Sequence, residues 1–253
     1  FEKIKKFNKI VKVDSDKSTS IRSFLIGAIS ENISNIKNVL ESEDVFSTIN
    51  SLKALGVKII KIKTGHYKVY GKGLGSLCGE KNLKLNFFNS GTLTRLLIGI
   101  LSTTPNIEVK IDGDRSLRSR DMSKLLALMS KFGAQFYPKN KTKLPIKLVS
   151  SSLPIGINYV AGVSAQLKSA VILAAANSFG TSTIIEKEKS RNHTENIFLK
   201  NSKMLSIKKN VIKVFGKGYI SAFDMEVPAD PSSAAFFVAL TILSDKSSVK
   251  IRN

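Results

Sequence analysis

A unit of the form β-α-β-α-β-β recurs along this chain at a spacing of roughly seventy residues, and no other feature narrows the fold as far. Apolar helix-type segments open four times from a short polar turn. The openings are Lys17-Ser18-Thr19-Ser20-Ile21-Arg22 into SFLIGAIS, Asn89-Ser90-Gly91-Thr92 to Arg95 into LLIGILS, Ser164-Ala165-Gln166-Leu167-Lys168-Ser169 into AVILAAANS, and Asp230-Pro231-Ser232-Ser233 into AAFFVALTILS. Each helix ends near serine and runs into a β-prone piece: NISNIKNVL, TPNIEVKI, TSTIIEKE and SSVKI. The first three pieces are followed by a second helix, EDVFSTINSLKALG, SRDMSKLLALMSKFG or SRNHTENIFLKNSKML, and then by two further β-prone runs. Two of those helices close on glycine, the residue favoured at a left-handed C-terminal cap. The fourth unit begins at Glu226-Val227-Pro228-Ala229-Asp230 and reaches Asn253 after one helix and one strand. A chain that opens at Phe1 and closes halfway through a unit is expected to be a fragment.

The repeat also carries a chemistry. Small hydroxyl and amide residues with glycine at a helix start leave backbone N–H groups free, and these attract anions. The turn Gly113-Asp114-Arg115-Ser116-Leu117-Arg118-Ser119-Arg120 adds arginines, whose planar fork suits phosphate or carboxylate. Forty Lys and Arg against nineteen Asp and Glu give a net charge of +21, so nucleic acid has to be weighed as a partner. The lysines are scattered (Lys58, Lys61, Lys63, Lys68, Lys72) and no aromatic ladder or zinc-ligand spacing accompanies them. An anionic small molecule is the better match, with no nucleic acid and no membrane as partner. No apolar run approaches the twenty or so residues of a membrane span. The single cysteine, Cys78, excludes an internal disulfide framework and points to a reducing, cytoplasmic setting.

These motifs, with Ser42-Glu43-Asp44-Val45 and Lys189-Ser190-Arg191-Asn192-His193-Thr194-Glu195, resemble the enolpyruvyl transferase family, most of all its members that act on shikimate 3-phosphate. The resemblance runs from Val13 onward. It implies an α+β fold in which repeated β-α-β-α-β-β units form an inside-out α/β barrel, with helices central and a second domain truncated. On that pattern residues 1–14 are a strand of the second domain, 15–225 the first domain of three units, and 226–253 the opening of the second. The implied reaction moves the enolpyruvyl group of phosphoenolpyruvate to the 5-hydroxyl of shikimate 3-phosphate and releases phosphate. No metal or organic cofactor is implied, and the full-length protein is expected to be a monomer. The runners-up are a family member acting on UDP-N-acetylglucosamine and a basic nucleic-acid-binding protein. Against the former, Cys78 lies well before the Asn89 turn, away from the place of that enzyme's reactive cysteine.

By the same resemblance Lys17, Asn89, Gly91, Thr92 and Arg120 contact phosphoenolpyruvate. Lys17, Ser18, Arg22, Ser164, Ala165, Gln166 and Ser190 contact shikimate 3-phosphate. Asp44, Lys168 and Arg118 are possible additions. Ser18 could instead be a plain N-cap, Gly91 a tight-turn residue, and Arg118 surface. Arg95 is expected to act electrostatically, His193 from behind the contacting residues, and His66 to be solvated. Asp121 stands where relatives have proline, and is expected to pair with a basic neighbour. The proton-transfer groups are expected beyond Asn253, so the 253-residue chain should bind shikimate 3-phosphate weakly or not at all and turn over nothing. By the same resemblance Gly91 implies sensitivity to glyphosate in the intact enzyme, and Leu96, where many sensitive relatives have proline, pulls the other way; sensitivity is the expectation.

Overall fold

Helices that are apolar on every side belong in an interior, and the computed structural model, which describes residues 5–80 and 82–252, places three of them there. After β1 (Asn8–Lys12), the first unit comprises α1 (Lys17–Ile29), β2 (Ile33–Lys37), α2 (Glu43–Ala54), β3 (Lys58–Lys63) and β4 (His66–Tyr70). The second comprises β5 (Lys84–Asn86), α3 (Gly91–Thr103), β6 (Glu108–Asp112), a short α4 (Arg115–Ser119), α5 (Ser123–Lys131), β7 (Gln135–Tyr137) and β8 (Ile146–Val149). The third comprises β9 (Asn158–Ala161), α6 (Ala165–Ala176), β10 (Thr181–Glu186), α7 (His193–Asn201), β11 (Leu205–Lys208) and β12 (Val211–Phe215). Then follow β13 (Asp224–Glu226), α8 (Pro231–Ile242) and β14 (Ser248–Arg252).

Helices α1, α3 and α6 are buried along almost their whole length. Several of their serines and threonines tolerate this because the hydroxyl returns a hydrogen bond to its own helix. Ser20 donates to Asp16 O, Thr94 to Ser90 O and Ser102 to Ile98 O. The alanine-rich face of α6 lets α3 approach closely. A Cβ on Gly99 would stand 2.6 Å from the Ala170 carbonyl oxygen, so only glycine fits that crossing. The sheets lie outside, with side chains alternating between the helices and solvent, as in β4 and β8. Gly56 and Gly133, at φ 81° and 96°, close α2 and α5 in the left-handed conformation expected of them.

Three four-stranded sheets share one pattern, a parallel pair followed by an antiparallel hairpin: β5-β6-β8-β7, β9-β10-β12-β11 and β13-β2-β4-β3. The first unit therefore takes its leading strand from the far end of the body. β13, which runs through Glu226, pairs in parallel with β2. This is the inside-out arrangement of the expected α+β fold. β1 pairs in parallel with β14, apart from those sheets. Between the two groups the chain crosses twice, with Asp16 N–H donating to Pro228 O and Asp230 N–H to Asp14 O, both at 2.8 Å. Helix α8 has no buried residue and exposes Phe236, Ile242 and Leu243 at 76–79%. Residues 1–4 of the expected N-terminal strand, and Asn253, lie outside the described residues.

Candidate anion-binding site

The N-termini of α1, α3 and α6 are built alike. Asp16, Ser90 and Ser164 sit at the N-caps, and their side chains accept from the N–H groups of Thr19, Leu93 and Leu167. The cap of α1 is thus Asp16 and not Ser18, because Asp16 directly precedes the helix and reaches the third N–H, that of Thr19, whereas Ser18 already lies in the first turn. Ser18 instead lines a cavity of about 440 Å³ together with Arg22, Ser164, Ala165, Gln166 and Ser190. Lys189, Arg191, Val163 and His193 complete its wall. The lining carries three fixed cations and no carboxylate, a composition that favours a dianion over a neutral ligand.

Arg22 is only 4% exposed and is held on three sides. Its Nε donates to Thr194 Oγ1 at 3.0 Å, Nη1 to Ser18 O at 3.0 Å and Nη2 to Ser169 Oγ at 3.3 Å. Burial lowers its pKa to about 10, against the opposing pull of Glu195 and Asp16. It therefore remains charged at neutral pH. His193 Nδ1 lies 3.3 Å from Thr19 Oγ1. Burial first, and then the Arg22 charge, hold its pKa below the ordinary histidine value.

A second hollow of about 530 Å³ adjoins the first at Gln166, which lines both. Lys17, Asn89, Gly91, Thr92, Arg95 and Arg120 line it with Glu43 and Asp44. Gln166 Nε2 donates to Thr92 Oγ1 at 2.9 Å and ties the two helix starts together. Lys17 Nζ pairs with Asp44 Oδ2 at 2.9 Å. Arg120 donates to Asn89 Oδ1, and Arg95 Nη1 to Gly91 O at 3.0 Å. Gly91 is the first residue of α3 rather than a turn residue at positive φ. Its missing side chain makes room for guanidinium groups: a Cβ would meet Arg120 Nη1 at 2.6 Å and Arg95 Nη1 at 2.9 Å. Burial and the Arg120 charge lower the Arg95 pKa.

Other expected site residues stand apart. Arg118 is exposed and forks onto Asp112, its neighbour at the end of β6, with Nε 2.8 Å from Oδ1. Its donors are thereby turned away from both hollows. Lys168 is fully buried, with Nζ 2.6 Å from both Glu186 Oε1 and Glu195 Oε1, and lines neither cavity. Asp121 accepts from the Ser123 N–H and hydroxyl, and these bonds first, with the Lys143 charge nearby, lower its pKa. His66 is not solvated at Nε2, which is buried without a hydrogen-bond partner at the start of β4. Cys78 is exposed, with its sulfur 3.3 Å from Lys72 Nζ.

Lys189 and Arg191 escaped notice as site residues, although their alternation with Ser190 was a usable signal. Ser169, Glu186, Thr194 and Glu195 left no local signal, because each matters through partners distant in sequence. Two larger hollows, of about 860 and 700 Å³, flank the double crossing. The larger mixes Lys12, Lys37 and Lys63 with Asp14, Glu41 and Glu226, and the other holds Asp16, Asp224 and Glu226, so neither has the one-signed lining of the smaller cavity. Among the described residues no His/Cys/Asp/Glu cluster could hold a metal ion, and no helix is long and apolar enough to cross a membrane.

Known proteins are similar to this chain in architecture and in sequence. A family profile described as EPSP synthase (3-phosphoshikimate 1-carboxyvinyltransferase) matches residues 1–253. The 3-phosphoshikimate 1-carboxyvinyltransferase of Jannaschia sp. (strain CCS1) is 36% identical over 246 residues, covering 95% of this chain and 54% of that protein. Its counterpart from Streptococcus agalactiae serotype III (strain NEM316) is 38% identical over 245 residues, covering 96% and 57%. The solved structure of EPSP synthase from Acinetobacter baumannii superimposes with a TM-score of 0.86 at 32% identity, covering 96% of this chain and 55% of that one. The chain thus spans about half the length of the curated relatives it matches.

Proposed function

Because the chain belongs to the EPSP synthase family, we propose that it forms the shikimate 3-phosphate side of a site that transfers the enolpyruvyl group of phosphoenolpyruvate to the 5-hydroxyl of that substrate, releasing phosphate. The observation that carries this is the pair of hollows joined at Gln166, one with cations and no carboxylate. In the 440 Å³ cavity Arg22, Lys189 and Arg191 neutralise the phosphate ester. Ser18, Ser164 and Ser190 offer hydroxyl donors, and Ala165 offers its N–H at the start of α6. In the neighbouring hollow Arg120 presents its fork to the phosphoenolpyruvate carboxylate, while Lys17, Asn89 and Thr92 face the phosphate end.

The acceptor hydroxyl gives up its proton as its oxygen bonds to the enol carbon, and the methylene carbon gains a proton to become a methyl. The tetrahedral adduct then expels phosphate and loses one methyl proton to restore the double bond. Holding two polyanions side by side in a charge-neutralising pocket is the contribution of this chain's residues. The chemistry draws on no metal or organic cofactor. Residues 15–225 serve as one domain, and 1–14 with 226–253 contribute to another, a division supported by the pairing of β1 with β14. The lone exposed Cys78 thiol suits the cytoplasm, and a monomer is proposed for a protein of the relatives' length.

Calorimetric titration of the 253-residue chain tests the substrate assignment. Arg22, Lys189, Arg191 and the three serines that line the cavity lie in this chain, so binding should fall at the weak but measurable end of what the sequence leads one to expect. Shikimate 3-phosphate should bind at least about tenfold more tightly than shikimate, since one hydrogen bond to a charged group is worth roughly 1.5–3 kcal/mol. Equal affinity for the two, or a preference for UDP-N-acetylglucosamine, would refute the assignment.

A further inference from the structure

Behind the phosphate-facing residues lies a buried ionic cluster that the proposed reaction does not use. Lys168 springs from the first turn of α6, directly beneath Ser164, Ala165 and Gln166. Its ammonium lies 2.6 Å from Glu186 at the end of β10 and 2.6 Å from Glu195 in the first turn of α7. The same Glu186 oxygen accepts from Ser190 N–H and Ser190 Oγ, each at 3.3 Å. Glu195 is 1% exposed, and neither of its oxygens has a hydrogen bond of good geometry, so the Lys168 charge is its nearest compensation. Beside it Thr194 receives Arg22 Nε and donates to Ser169 Oγ, which in turn receives Arg22 Nη2.

Resting on the function proposed above, we infer that Lys168 is a positioning residue for the phosphate cavity: through Glu186 it fixes Ser190, and through Glu195 it anchors the start of α7 against which Arg22 is braced. The side chain itself lines no part of the cavity. Two buried cations, Arg22 and Lys168, face two carboxylates, Glu186 and Glu195. Glu186 and Glu195 thus offset the Lys168 charge behind the cavity, while Arg22 is bonded only to hydroxyls and a carbonyl and keeps its charge, with Lys189 and Arg191, for the ligand. Deleting Lys168 alone would leave two carboxylates in apposition with one cation fewer. Buried pairs tolerate loss of one partner poorly, and Glu186 and Glu195, the two partners of Lys168, flank the 187–192 turn on either side.

The test is a double-variant cycle on shikimate 3-phosphate affinity, measured by calorimetry on the 253-residue chain, with near-ultraviolet circular dichroism checking each fold. Lys168→Met removes the charge and keeps the length. Where it fails to fold, Glu186→Gln serves instead, keeping an acceptor for Ser190 but losing the charge. Either variant should raise Kd about tenfold, the scale of one charge-assisted hydrogen bond. If the effect acts through Ser190, adding Ser190→Ala to Glu186→Gln should weaken binding little beyond Ser190→Ala alone. A folded Lys168→Met or Glu186→Gln chain with unchanged Kd would overturn the inference, as would effects of Glu186→Gln and Ser190→Ala that simply multiply. Absence of binding by the unmodified chain would instead remove the functional reading and this inference with it.

Discussion

Gly91 and Arg120 make one local arrangement. The first residue of α3 lacks a side chain, and the guanidinium tips of Arg120 and Arg95 occupy the space a methyl would take. Arg120 is further steered by Asn89 Oδ1. This gives Arg120 a fixed plane from which two parallel N–H groups can meet a carboxylate. Lysine would keep the charge but lose the fork. In the active enzyme, Arg120→Lys should therefore raise KM for phosphoenolpyruvate about ten- to a hundredfold, from the roughly 1.5–3 kcal/mol of one charged hydrogen bond. KM for shikimate 3-phosphate should change little, and steady-state kinetics with each substrate varied in turn will check both. The place of Arg120 was legible from the turn Gly113 to Arg120. The glycine at 91 was legible too, but the guanidinium tips beside it were not, because Arg120 comes from a distant turn and Arg95 folds back along α3. Residues that act by burial were harder to read. Lys168 looked like a phosphate neighbour because it follows the Ser164 turn, and nothing local told of the two carboxylates that enclose it.

At the scale of elements, close approach of α3 and α6 sets the distance between their N-termini, and so the separation of the two hollows. Gly99→Ala would press a methyl against the Ala170 backbone, which has no flexible end to move aside. Overpacking of this kind costs about 1–3 kcal/mol. The urea midpoint should drop accordingly with no change in slope. A second device fastens the β3–β4 hairpin to the loop before α2. Glu41 accepts from Lys61 Nζ and Gly65 N–H, each at 2.8 Å, and from Tyr67 OH at 2.7 Å. The Lys61 bond foremost, then the Gly65 N–H, draws the Glu41 pKa from 4.5 to about 2. A carboxylate depressed on folding stabilises above its unfolded pKa and loses that stabilisation as pH falls through its folded pKa. Thermal stability should thus decline as pH drops from about 4.5 toward 2, and Glu41→Gln should flatten that part of the curve. Helix and strand periodicities exposed nearly all these elements beforehand. The short α4 inside the arginine turn was missed, since five residues are too few to show a period.

For the whole molecule, the repeat in the sequence foretold three similar units and the family resemblance put their helices at the centre, and the structure has both. It could not foretell that the first sheet borrows β13 from nearly two hundred residues away, because pairing partners that distant leave no local trace. The same long-range closure brings α7 against α1 and thereby delivers Thr194 to Arg22. Helix α8 lies outside this body with Phe236, Ile242 and Leu243 in solvent. Exposed apolar surface on this scale promotes association. The 253-residue chain should therefore self-associate as its concentration rises, and Phe236→Glu should reduce this in sedimentation velocity without lowering the melting temperature. Most directly, the central claim can be tested by recording amide NMR shifts of the chain while shikimate 3-phosphate is added. The shifts should gather at Ser18, Arg22, Ala165, Gln166 and Ser190, saturate together, and leave the hollow around Lys37, Glu41 and His66 untouched. Shifts centred on that other hollow, or none at any concentration of ligand, would contradict the account.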